Sequence, residues 1–126
     1  MKSLARSLST LDGHSLLGLE KAAQREATRR ASARSLIDST CYTYPRYEPA
    51  GLHWQIAEQL ERVERGEIDR LMLLVPPRHG KSELASRRFP AWYLGRHPEA
   101  KVMEASHTAS LSLDFGRELR NLINSE

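Results

Sequence analysis

Leu71-Met72-Leu73-Leu74-Val75-Pro76-Pro77-Arg78-His79-Gly80-Lys81-Ser82 is the stretch on which the fold turns. A short apolar run meets a turn signal, then a Gly-Lys-Ser triplet, then a segment that favours helix from Ser82 onward. A phosphate-binding loop needs that order. A strand anchors one end, and a helix N-terminus supplies the other, with backbone N–H groups and the helix dipole turned toward an anion. Pro76 and Pro77 have no N–H to offer and stiffen the exit from the apolar run. The donors left are the N–H groups of Arg78, His79, Gly80, Lys81 and Ser82. In such a loop Lys81 reaches the β- and γ-phosphates and the Ser82 hydroxyl ligates Mg²⁺. The full pattern G-x-x-x-x-G-K-[ST] asks for glycine where this chain has Val75. The triplet alone arises by chance in on the order of 5% of chains this long, so its weight comes from its place between apolar run and helix. A solvated basic turn is the alternative reading of the same residues.

Outward from this stretch, Leu71–Val75 is apolar without alternation, which predicts a central strand covered on both faces, as in parallel sheets. Residues 82–88 are predicted to be the phosphate-binding helix, broken or kinked at Pro90 ahead of the core aromatics Trp92 and Tyr93. Lys101–Ser106 is a second strand candidate. Glu104 interrupts it and is expected on an outer face, with a catalytic role the less favoured reading. Leu111, Phe115, Leu119 and Leu122 mark one face of a helix over about 108–124. From residue 70 onward the order strand, loop, helix, strand, helix is an open α/β pattern.

Upstream, Leu52, Ile56, Leu60 and Val63 share a helical face, and Gly66 ends that helix. Residues 15–39 favour helix and are basic, with Lys21, Arg25 and Arg29 stacked at four-residue spacing. A solvated face is the favoured reading, and a patch for DNA or a partner subunit the alternative. Residues 41–51 interleave Pro45, Pro49 and Gly51 with Tyr42, Tyr44 and Tyr47, which predicts an extended loop packing tyrosines on the domain. Residues 1–14 are polar and irregular and are expected to be mobile.

The 126 residues suffice for one domain at most. With 28% charged and 40% hydrophobic residues the chain suits a globular protein rather than a disordered one. A net charge of +3 permits nucleic-acid contact without arguing for it. One cysteine, Cys41, excludes an internal disulfide and fits a reducing interior. No apolar run approaches the roughly 20 residues that span a membrane, and no signal peptide is read at the start. The expected location is the cytoplasm. The five histidines show no metal-ligand spacing.

From about Leu36 to Ser125 the chain resembles the start of the large subunit of tailed-phage terminases. Tyr44-Pro45 with Tyr47, His53-Trp54-Gln55-Ile56-Ala57, and Gly66-Glu67-Ile68 carry the likeness first. They are followed by Pro76-Pro77-Arg78-His79-Gly80-Lys81-Ser82-Glu83, Phe89-Pro90-Ala91-Trp92-Tyr93-Leu94-Gly95, and Phe115-Gly116-Arg117 with Arg120-Asn121. These blocks recur in that order in the family, where the first glycine of the loop is commonly replaced. The resemblance implies an incomplete P-loop NTPase sheet of the RecA/helicase-like kind, parallel and flanked by helices, preceded by an N-terminal helical segment. Residues 1–14 would be a mobile N-terminus, 15–51 a basic helix and Tyr/Pro loop, and 52–126 the front of the ATPase domain. It also implies ATP and Mg²⁺ as cofactors. In the intact protein it implies packaging of double-stranded DNA into procapsids, with a portal and a small subunit as partners, as a homo-oligomeric ring in an infected or lysogenic bacterium.

By the same resemblance Arg78 is a candidate arginine finger, placed to neutralise charge on the γ-phosphate, and His79 a loop-shape residue. Gln55, or Gln59, is a candidate adenine contact. Hydrolysis also needs an acidic pair at the end of a later apolar strand. No such strand is present, and the family's nuclease cluster lies later still. The expectation is therefore a truncated front part that binds nucleotide without turning it over, with an unpaired strand edge that invites self-association. The alternatives are a non-catalytic prophage remnant and another P-loop enzyme such as a helicase or nucleotide kinase.

Overall fold

A computed structural model describes residues 13–124; the predicted mobile segment lies outside these except for Gly13 and His14. The elements in chain order are α1 (Gly13–Ser32), α2 (Leu36–Thr43), α3 (Gly51–Glu64), a π-helical turn (Glu83–Arg88), α4 (Phe89–Arg96) and α5 (Ala109–Ile123). Among the described residues there is no strand and hence no parallel sheet. The expected α/β architecture, a RecA/helicase-like sheet with flanking helices, is overturned: the protein is helical.

The reason lies in the two segments from which strands were predicted. Along 71–75 the side chains alternate. Leu71, Leu73 and Val75 pack against the core, whereas Met72 and Leu74 are 81% and 86% exposed. This is the period of an extended chain covered on one face only. Residues 101–106 are irregular as well, with Met103 94% exposed. A strand is stabilised by the ladder it shares with a neighbour. Neither segment supplies that ladder to the other, so each remains a connection without regular structure beside a helical core.

That core is built where α2, α3, the π turn and α4 meet. Leu36, Ile37, Ile56, Ala57, Leu60, Leu84 and Trp92 are buried together. α1 packs on α2, and α5 closes over the π turn and α4 through the buried Phe115. The helix predicted over 15–39 is split in two. Ser35 is extended and its hydroxyl accepts the Asp38 N–H at 3.4 Å, capping α2. The Leu36 N–H, which a continuous helix would have used internally, donates to Glu61 Oε1 at 2.8 Å. A carboxylate on α3 thus decides where α2 starts.

Gly66 ends α3 with φ +71°, a left-handed conformation that glycine adopts without a Cβ clash. Pro90 does not break the helix that follows the loop; residues 81–96 are helical throughout. Proline lacks an N–H, and its ring crowds the carbonyl four residues back. The chain relieves this by widening to a π turn, in which the Phe89 N–H donates to the Leu84 carbonyl five residues earlier. Trp92 is thereby carried into the core, 6% exposed.

Candidate phosphate-binding site

Pro76–Gly80 turns the chain from the extended segment into the helix. Two residues of the turn are left-handed: Arg78 at φ +65° and Gly80 at φ +73°. For a side-chain-bearing residue such as Arg78 this costs about 1 kcal/mol. The first bond of the following helix runs from the Leu84 N–H to the Gly80 carbonyl at 3.2 Å. The N–H groups of Lys81, Ser82 and Glu83 therefore precede the ladder and form the donor end of the helix. Lys81 is half-buried. It lines, with Ser82, Leu60, Val63, Leu71, Leu73, Ala85 and Ser86, an open hollow of about 380 Å³.

The structure brings Arg78, His79, Gly80, Lys81 and Ser82 together in this turn, as their adjacency requires. Arg78 and His79 are exposed, and His79 Nδ1 lies 2.9 Å from the Pro77 carbonyl, a bond within the loop that shapes it. Ser82 is exposed at the helix start. Gln55 is not brought to them. It is exposed on α3, two residues beyond His53 and so about 200° around the helix from the face that meets the loop. Gln59 is occupied, its Oε1 accepting from Arg62 Nη1 at 3.0 Å.

Three residues acquire roles that the sequence reading did not assign, although the four-residue spacing of Glu83 and Arg87 is a signal for one of them. His53 reaches from the first turn of α3 to the loop: Nε2 is 3.1 Å from the His79 carbonyl oxygen, and Nδ1 accepts the Ala50 N–H at 2.9 Å. Glu83 is the hub of the helix after the loop. It accepts from Arg87 Nη1 at 2.8 Å and from Arg88 Nε at 2.7 Å. Arg88 continues to Thr43 Oγ1 of α2 with a hydrogen bond of 3.1 Å, and the Arg87 guanidinium forms an ion pair with Glu118 of α5, Nε to Oε2 2.6 Å. Burial pushes the Glu83 carboxyl up, but the bonds from Arg87 and Arg88 outweigh it and leave it below the usual range. Glu83 is therefore a carboxylate committed to arginines and braces the loop's helix on two sides.

Glu104, expected on an outer face, is half-buried and reaches Ser86, one of the residues lining the hollow. Burial raises its carboxyl above the usual range, and the Ser86 hydrogen bond offsets only part of that. The spacing of 101–106 held no sign of this placement, because the segment's path is set by packing.

A larger cavity, about 500 Å³, lies elsewhere, between α1, α2, α4 and α5, and is lined by Thr43, Arg88, Trp92, Arg96 and Ile123 among others. Its arginines are engaged: Arg29 with Glu26 at 2.9 Å, Arg88 with Glu83 and Thr43, and Arg96 with the Glu64 carboxylate at 2.8 Å and the Ala33 carbonyl at 2.9 Å. Among the described residues no three histidines, cysteines or carboxylates cluster to hold a metal ion, and no helix is long and apolar enough to cross a membrane. The Ser82 hydroxyl is the group that would hold a nucleotide-borne magnesium ion, and the neighbouring Glu83 carboxylate is taken up by Arg87 and Arg88. No protein-family model matches the chain, and no curated protein or solved structure shows significant similarity to it.

Proposed function

We propose that residues 78–82 hold the phosphates of Mg·ATP and that the chain is the nucleotide-binding front part of a terminase large subunit. The observation that carries the phosphate site is the turn itself. Two left-handed residues set the chain so that it enters a sixteen-residue helix at Lys81, with a lysine among the donors that precede the ladder. The ordered sequence blocks from Tyr44 to Asn121 support the terminase assignment. The site is a loop and a helix seated on other helices. Its anion affinity comes from the N–H groups of Gly80, Lys81 and Ser82 and from the Lys81 ammonium.

Each residue has a stated part. Lys81 neutralises the β- and γ-phosphates, Ser82 completes the shell of a nucleotide-borne Mg²⁺, and Arg78, exposed beside the loop, faces the charge of the γ-phosphate. In the intact protein such a site would power movement of double-stranded DNA, in a ring on a portal with a small subunit, in the cytoplasm of an infected or lysogenic bacterium.

The test is Mg·ATP binding by the purified chain beside Lys81→Ala, measured calorimetrically. Loss of at least tenfold in affinity, about 1.4 kcal/mol, is expected for the variant. Equal and negligible binding by both would overturn the reading and leave the chain a non-catalytic remnant.

A further inference from the structure

Two hydrogen bonds and one close approach converge on His53, at the third residue of α3. Its Nδ1 accepts the Ala50 N–H. A neutral imidazole carries one proton, so a ring that accepts at Nδ1 holds that proton on Nε2. Nε2 is then a donor, and the atom it faces at 3.1 Å is the carbonyl oxygen of His79. Ala50 thus selects the tautomer that grips the loop. The Tyr47 ring, its centroid 5.4 Å from the imidazole, packs against it.

The grip has a directional consequence. A trans peptide is planar, with its C=O and N–H pointing in opposite directions. Holding the His79 carbonyl against His53 turns the Gly80 N–H the other way, away from α3. Gly80 is pressed on the same ring: a Cβ there would lie 2.7 Å from His53 Nε2. The glycine lets the backbone come close enough for the carbonyl to be held.

We propose that His53 is a positioning residue of the phosphate loop, which aims the Gly80 N–H at a bound polyphosphate without touching the ligand itself. The inference rests on the reading of residues 78–82 as a phosphate site. It predicts a difference between two amide substitutions. Glutamine places a donor NH₂ near the position of Nε2, whereas asparagine places its oxygen near Nδ1, keeping the Ala50 bond but falling short of His79.

The experiment measures tripolyphosphate and Mg·ATP binding to the full chain by calorimetry, with thermal unfolding of every variant alongside. The variants are His53→Gln, His53→Asn and Lys81→Ala. His53→Gln is expected to bind within about threefold of wild type. His53→Asn is expected to unfold cooperatively, with its midpoint lowered by a few degrees for the lost His79 bond, yet to bind about tenfold more weakly, the worth of one hydrogen bond to a charged group. Wild-type affinity in His53→Asn together with loss in Lys81→Ala would overturn the positioning role and leave the phosphate site standing. Equal loss in a folded His53→Gln and His53→Asn would overturn it too. No binding by wild type would remove the phosphate site and this inference with it.

Discussion

Gly80→Ala tests the packing of the loop on α3 most sharply, because two separate penalties are legible at one atom. The first is conformational. At φ +73° an added Cβ places alanine in the left-handed region, at a cost of about 1 kcal/mol. The second is steric. The Cβ would stand 2.7 Å from His53 Nε2, with Cδ2 at 3.3 Å and Cε1 at 3.5 Å, so the ring must withdraw. Withdrawal gives up the bond to the His79 carbonyl and strains the bond from Ala50, another ~1 kcal/mol. The expected total is about 2 kcal/mol of stability, read from urea unfolding followed by circular dichroism. The two parts separate in a double-mutant cycle with His53→Ala. In that background the steric part vanishes, and Gly80→Ala should cost only about 1 kcal/mol, a coupling of about 1 kcal/mol between the sites. Additive costs, with coupling below about 0.3 kcal/mol, would refute the claim that the imidazole bears on Gly80.

Glu83→Gln should cost about 2 kcal/mol at pH 7, since it weakens two charge-assisted bonds that tie the loop's helix together. Because the folded Glu83 carboxyl lies below its ordinary value of 4.5, its contribution is fully present above that value and is lost as pH falls through the lower folded value. Thermal unfolding from pH 7 down to pH 3 should show wild type and variant converging, and a constant gap would refute the assignment. Met72 and Leu74 expose large apolar side chains on a segment with no strand beside it among the described residues, so micromolar chain is expected to self-associate and Met72→Lys with Leu74→Lys to relieve it. Sedimentation velocity showing wild type monomeric would remove that expectation.

Residue periodicity made the helices readable. Leu52, Ile56, Leu60 and Val63 predicted α3 and Gly66 its end. Leu111, Phe115, Leu119 and Leu122 predicted α5, which Thr108 caps by accepting the Leu111 N–H. The strands were misread for a definable reason. Five apolar residues in a row look alike whether both faces are covered or one, and only packing showed Met72 and Leu74 on the outside. Pro90 was read as breaking or kinking the helix because proline removes a bond from an α-helix; the chain stays helical past it through a π turn, which uses a different bond.

By itself the sequence determined the local features. These are the order of loop and helix around Gly80-Lys81-Ser82, the turn prolines, the helical faces and the glycine that stops α3. Such features depend on neighbours within about four residues, whose chemistry sets dihedrals and caps directly. Tertiary structure alone decided that no sheet forms around 71–75 among the described residues, that Glu61 sets the start of α2, and that Arg88 and Arg87, which hold Glu83, reach on to Thr43 and Glu118. It also decided that His53, 26 residues before His79 along the chain, takes hold of the loop. Each of these depends on a partner brought in by burial of the shared core, and no spacing along the chain encodes which carbonyl a side chain will meet.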